Sequence, residues 1–256
     1  MEHSYIDEYS RIKSFIHNLE PRIKLISFFA LIVSIIFTRP AAMPAFGAYA
    51  MLIFLLVFLS KIPLMLVLNR SFSVVPFILI MSIFIIFIKP GEPVWEFSLG
   101  IFKLSITNEG LAMFLNIAAK AYLCSLSMLL LMLSTNFLNL LKALEKLRVP
   151  SILIMIISFM YRYLFVLEDE LMRMKRAKDS RTIAGSRWFH ARALANMLGV
   201  LFVRAYERAE DVYLAMCARG FDGGIRTIYD YKLRIKDLCF LATAVSVVSI
   251  IKIYIG

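Results

Sequence analysis

Residues Ser151 to Thr182 read SILIMIISFMYRYLFVLEDELMRMKRAKDSRT. The part through Leu167 is apolar enough for a membrane helix, and the remainder is crowded with charge. Starting after Pro150, the stretch predicts one helix of about 30 residues, about 45 Å long. Whether that helix crosses a bilayer decides the topology of the whole chain. Arg162 interrupts its apolar half, and a crossing would put its two flanks on opposite sides, exposing one basic half outside. We therefore expect a helix lying along or against the membrane surface.

The stretch sits inside a basic block, Asn136 to Asp237. Of the 29 Lys and Arg, 18 fall there, against 11 of the 18 acidic residues, so the block carries about +7 of the formal +11. Before the stretch, Phe137, Leu138, Leu140, Leu141, Leu144 and Leu147 form a short amphipathic run. Thr135 or Asn136 can cap it, and Arg148-Val149-Pro150 stops it. After the stretch, a further helix is expected from about Ser186 to Ala218. There Leu194, Met197, Leu201, Ala205, Val212 and Met216 recur at near-helical spacing, with Arg204, Glu207, Arg208 and Asp211 on the other face.

Outside the block the chain is a membrane sequence. Its 256 residues are 61% hydrophobic, with mean hydropathy +0.78, far above the half of an ordinary globular protein. Spans of about 20 apolar residues are found after Pro21-Arg22-Ile23-Lys24 up to Phe37, from Met43 to Leu59, within Leu64–Ile88, from Leu111 to Leu133, and from Leu238 to Ile255. The third is best formed over Phe72–Ile88, with Pro63–Arg70 as an interfacial approach and Pro63 and Pro76 as bends. Arg11, Lys13, Arg22 and Lys24, then Lys61 and Arg70, then the basic block all fall on one side. By the positive-inside rule that side is cytoplasmic. The Lys89–Gly110 loop then lies outside, where a small hairpin is expected and Trp95 suits the membrane interface. No early apolar core with a cleavage site follows Met1, so a removable signal peptide is not expected.

The fold class is thus an all-α integral membrane protein of about five transmembrane helices with a cytoplasmic platform of long amphipathic helices. Its parts are 1–135 in the membrane, 136–237 as the platform and 238–256 as a last span. The N-terminus is expected inside and the C-terminus outside, in a multi-pass protein of the cell membrane. The lipid bilayer is its surrounding partner. Topogenic charge accounts for the basic excess, and no nucleic-acid partner is inferred.

Catalytic chemistry is not apparent in the sequence. Neither G-x-x-x-x-G-K-[ST] nor G-x-G-x-x-G occurs, nor do a nucleophile elbow and H-E-x-x-H. If the protein works with ATP, another chain must hydrolyse it. Cys124, Cys217 and Cys239 are too scattered for a metal or redox pair. His3, His17 and His190 are isolated; His3 and Asp7 have a helical spacing that fits a surface cap better than a metal site. Glu168-Asp169-Glu170 could serve an enzyme acting on lipid-linked substrates, together with His190. Arg173, Lys175 and Arg176 follow closely, and a charged helix face explains the cluster better. Asp222-Gly223-Gly224-Ile225-Arg226 lacks the rest of a lipid phosphotransferase signature. Lys120 is the one deep charge for a self-contained transporter, and pairing within the bundle is its simpler role. We infer no catalytic residues, metal ligands or cofactor.

Two arginine-centred sequences remain, each ending a long helix. Ala177-Lys178-Asp179-Ser180-Arg181-Thr182 closes the first, and Ala215-Met216-Cys217-Ala218-Arg219-Gly220 the second. Gly220 suits a left-handed helix cap, with Phe221 folding back on the last turn. An arginine at such an end also favours the helix dipole. Its rigid, bidentate guanidinium equally suits an acidic groove on a partner. From spacing alone, docking and simple capping stand level.

At these motifs the chain resembles the T component of energy-coupling factor (ECF) transporters, the membrane-embedded coupling subunit of a class of ABC importers. The likeness covers Leu19-Glu20-Pro21-Arg22-Ile23-Lys24-Leu25, Leu99–Leu111, Leu141–Pro150 and Ala215-Met216-x-Ala218-Arg219-Gly220-Phe221. Ser180-Arg181-Thr182 departs from the family's Ala-Arg-Gly by lacking the glycine. The resemblance implies coupling helices whose arginines, Arg181 and Arg219, enter grooves on two ATPase subunits. Ala177, Ser180, Thr182, Ala215, Ala218 and Gly220 would support them. It also implies a substrate-binding membrane subunit, the S component, as partner, and ATP hydrolysis in partner chains. The N-terminus, with His3, Ile6-Asp7 and Tyr9, looks like the cobalt-transport branch (CbiQ type), which imports cobalt for cobalamin synthesis. Nickel- and vitamin-transport relatives share the coupling motifs.

Overall fold

The computed structural model describes residues 14, 16–39, 42–88, 93–99, 102–181, 187–223 and 235–254, with the side chains of 43, 84–88, 93–99, 102–107, 187 and 254 left out. The element order is α1 (Pro21–Phe37), α2 (Met43–Ser60), α3 (Leu64–Phe72), α4 (Val75–Ile88), β1 (Pro93–Leu99), β2 (Phe102–Thr107), α5 (Asn108–Ser134), α6 (Phe137–Lys146), α7 (Ser151–Arg181), α8 (Arg187–Ala218) and α9 (Ile235–Tyr254). The chain is an all-α membrane protein carrying one small hairpin, β1 antiparallel to β2 with Leu99 opposite Phe102. The hairpin falls where the sequence predicts it. The side chain of Trp95 lies outside the described residues.

Helix bounds follow local chemistry. Pro21 opens α1 near its N-terminus, where a missing N–H costs nothing. The apolar run from Leu64 to Ile88 divides at Ser73–Val74, just before Pro76. A proline has no N–H for the fourth preceding carbonyl and disfavours helical backbone at its neighbour. Asn136 caps α6, its Oδ1 accepting from the Leu138 N–H at 3.0 Å.

Two compact units emerge, one of residues 2–143 with 231–256 and one of Leu144–Asp230. The first has a core of Phe28, Leu31, Ile35, Tyr49, Ile53 and Leu130 among others. Polar groups inside it are mostly paired, as with Ser34 and Tyr49 hydroxyls at 2.7 Å. Its outward side chains are large and apolar, including Phe29, Met51, Phe58 and Met65, the inverse of a water-soluble surface.

Directions within this unit follow from its contacts. The Ser34–Tyr49 pair sets α2 antiparallel to α1. In α5, Lys120 donates to the carbonyls of Ile36 (2.9 Å) and Thr38 (2.6 Å) at the end of α1. Near the start of α1, Lys24 donates to the Ser134 carbonyl at the end of α5 (3.0 Å) and to that of His17 (3.1 Å). So α5 is antiparallel to α1. In contrast, the Glu20 N–H donates to Asp237 Oδ1 at 3.2 Å, and Lys252 Nζ lies 5.6 Å over the Phe37 ring. Thus α9 runs parallel to α1. The end of α5 and the start of α9 therefore share one side of the bundle.

Leu64–Ile83 (α3 with the first part of α4), Asn108–Ser134 and Ser151–Arg181 are the described helical stretches long and apolar enough to cross a membrane, with Pro44–Ser60 a shorter apolar helix.

Candidate functional site

Both arginine-ended helices belong to the unit Leu144–Asp230. The expected bounds of α7 and α8 hold to within a residue, and the helices measure about 46 and 48 Å from 31 and 32 residues. They pack antiparallel. Arg204 of α8 donates to and ion-pairs with Glu170 of α7. Earlier in α7, Tyr163 takes the guanidinium of Arg208, later in α8, at 5.9 Å from its ring centroid. Between the helices lies a cleft of about 240 Å³ lined by Phe159, Met160, Leu167, Ala205, Val212 and Met216 among others.

Two details correct the expected faces. Leu194 is exposed, and Ala193 takes the half-buried place on the stripe with Met197, Leu201, Ala205, Val212 and Met216. Arg204 and Arg208 do not simply face solvent: their long stems carry the charged ends back to α7. Sequence reasoning missed this tie, because its partners lie 34 positions apart in the chain. A signal exists in Glu170 and Arg204 only as charges of opposite sign on the two long helices.

The end of α8 is built as the sequence predicts. Gly220 has φ +77, its N–H donates to the Cys217 carbonyl at 3.0 Å, and the Phe221 N–H donates to the Met216 carbonyl at 3.1 Å. These two bonds form a Schellman cap. Space around Gly220 is open, so backbone conformation alone calls for glycine. Met216 and Phe221 are half-buried, whereas Ala215, Ala218, Arg219 and Gly220 are exposed. The cap satisfies backbone carbonyls without using the guanidinium of Arg219, which stands at the tip.

At the other tip, α7 ends on Arg181, exposed like Ala177 and Ser180. Ser180 Oγ donates to the Ala177 carbonyl at 3.0 Å, and Lys178 pairs with Asp179 at 3.1 Å. Thr182 lies outside the described residues. Because the helices are antiparallel, the structure places Arg181 and Arg219 at opposite ends of the pair, on the order of 30–40 Å apart along the helix axes.

Other candidates resolve differently. Among the described residues no three His, Cys, Asp or Glu converge as a metal site, and Glu170 of the acidic trio is engaged by Arg204. His190 packs its ring on Phe189, and His17 Nδ1 meets Ser14 Oγ at 2.7 Å. His3, Ile6, Asp7, Tyr9 and residues 224–226 lie outside the described residues. Lys120 is engaged at the end of α1, the pairing within the bundle that the sequence suggests as its simpler role.

Comparison with known proteins places this geometry in context. The model of the family described as CbiQ, cobalt transport protein, matches residues 12–229. An uncharacterized protein of Methanocaldococcus jannaschii is 29% identical over 99% of this chain and 87% of its own length. The energy-coupling factor transporter transmembrane protein EcfT of Limosilactobacillus fermentum is 30% identical over 82% of this chain and 81% of its own. That of Streptococcus thermophilus is 30% identical over 87% of each.

Proposed function

The chain belongs to the CbiQ family of cobalt transport proteins, and on that premise we propose that it is the non-catalytic energy-coupling subunit of an ECF-type importer, taking up cobalt. Two ATPase subunits bind at Arg181 and Arg219, and a membrane-embedded substrate-binding subunit carries the ion. The chain transmits ATP-driven motion between them.

The observation that carries this reading is the pair of exposed arginines at opposite tips of the antiparallel α7–α8 pair. Two separated tips suit two partners, and the guanidinium of Arg219 takes no part in the backbone bonding that closes its helix. A guanidinium in such a position can enter an acidic groove and form paired hydrogen bonds there. The basic block lies on the cytoplasmic side in this reading, where ATP is found.

The membrane partner is supported by a second surface. Leu198, Phe202 and Tyr206 form an exposed stripe along α8, and Trp188 farther along is 86% exposed. A face of that kind in a charged unit fits an apolar partner. A second reading, a shared coupling module for nickel or vitamin uptake, rests on the likeness to the EcfT proteins.

The test is Arg181→Glu combined with Arg219→Glu in cells expressing the whole complex. The variant is expected in the membrane with ATPase co-purification and cobalt uptake abolished. Normal uptake overturns the docking role. Turnover of a lipid-linked substrate by the isolated chain, impaired on replacing Glu168, Asp169 or His190, would instead favour a membrane enzyme.

A further inference from the structure

Along α1, α2 and α9 runs an apolar groove of about 470 Å³, a size in the range of ligand-binding cavities. It extends from Ala48 to Leu59 on α2 and from Phe240 to Ile251 on α9, about 17 Å in each case. One leaflet of a bilayer has about half the 30 Å hydrocarbon thickness. The groove therefore matches the depth of a single lipid chain and is short for a partner's membrane-crossing helix.

Its two ends differ. Since α2 is antiparallel and α9 parallel to α1, Leu59 and Phe240 lie at the end where α1 begins. Lys61, just past Leu59, is exposed and holds φ 56, a left-handed conformation that glycine would adopt at lower cost. Lys236 is exposed one helical turn before Phe240, on the same face of α9. The neighbouring acids are engaged elsewhere: Asp237 accepts from the Glu20 backbone and Glu20 pairs with Arg22 at 3.0 Å.

Near this end Ser27 lines the groove. Its side chain is buried at 6% exposure, and its Oγ has no hydrogen-bond partner within the protein. A buried hydroxyl without a partner is costly, and an ester carbonyl is a suitable acceptor. Serine hydroxyl and lysine ammonium groups thus follow the order of ester and phosphate in a glycerophospholipid.

We propose that this groove is a binding site for one anionic phospholipid. Its acyl chain fills the slot between α1, α2 and α9, an ester carbonyl meets Ser27, and the phosphate lies between Lys61 and Lys236. Basic groups at such a mouth favour anionic over zwitterionic headgroups.

Native mass spectrometry of the full chain in mild detergent, with added palmitoyl-oleoyl phosphatidylglycerol or phosphatidylcholine, tests the site. One phosphatidylglycerol should be retained in preference to phosphatidylcholine. Lys61→Gln with Lys236→Gln should remove about thirty-fold of that preference while both lipids still enter. Ala244→Phe, which plugs the groove, should expel both, with Ala48→Met as a milder plug if the first variant melts early. Unchanged selectivity in the lysine variant, or unchanged retention in a folded plug variant, overturns the proposal. So does a plug that displaces a membrane-protein partner while leaving lipid retention intact.

Discussion

Lys120 of α5 donates its ammonium to the backbone carbonyl of Thr38 at 2.6 Å, just as Lys24 donates to Ser134 at 3.0 Å. Each lysine thereby closes the C-terminal end of the other's helix. Carbonyls at a helix end carry partial negative charge and lack intrahelical partners. Inside an apolar bundle a lysine can supply both the charge and the donors. Lys120→Met should lower the melting temperature in detergent, by an amount corresponding to about 1.5–3 kcal/mol. Lys120→Arg should recover part of it. Loss of uptake in a Lys120→Met protein of undiminished stability would restore a direct role in transport.

Gly220 separates capping from docking. If Arg219 docks an ATPase as proposed, Gly220→Asn, which tolerates left-handed backbone, should leave α8 and that association intact. Gly220→Val should cost about 1–2 kcal/mol of local stability and weaken ATPase association without touching Arg219. Hydrogen exchange at the Phe221 amide, which donates to Met216, reports the cap directly.

The Glu170–Arg204 tie is a surface pair, with Arg204 56% exposed at its side chain. A double-mutant cycle on unfolding should give about 0.2–1 kcal/mol, shrinking as salt is raised. Under the proposed coupling role, the exchange Glu170→Arg with Arg204→Glu should restore uptake lost in either single variant. Failure of that rescue would mean the pair does more than hold α7 to α8.

Arg148 ends α6 with φ +70, where the Val149 N–H donates to the Leu144 carbonyl at 3.2 Å and the Arg148 N–H to Glu145 at 3.1 Å. This is the cap geometry of Gly220 with an arginine in the glycine's place. Arg148→Gly should raise thermal stability, offset in part by the freedom it gives the unfolded chain, for a net gain of about 1 kcal/mol or less. Calorimetry of the purified variant checks it.

Helix bounds were legible because they rest on local chemistry. Asn136 is a cap, Pro76 breaks the third passage, and Gly220 is a left-handed stop. Less local features were hidden. Lys24 reads as a loop charge beside the first span, yet it is 2% exposed and spends its donors on backbone carbonyls. Leu194 fits the apolar stripe of α8 by spacing but points away, because an imperfect period leaves two neighbouring positions equally close to the buried face.

Composition and periodicity alone determined an all-α membrane protein, the two long helices after Pro150 and the arginine that ends each of them. Those features depend on residues a few positions apart and on the incompatibility of charge with lipid. Only the tertiary structure decided that α9 runs parallel to α1, that α7 and α8 run antiparallel, and that Arg181 and Arg219 therefore stand far apart. Contacts such as Glu20 with Asp237 and Glu170 with Arg204 join residues distant in the chain, and chain proximity carries no record of them.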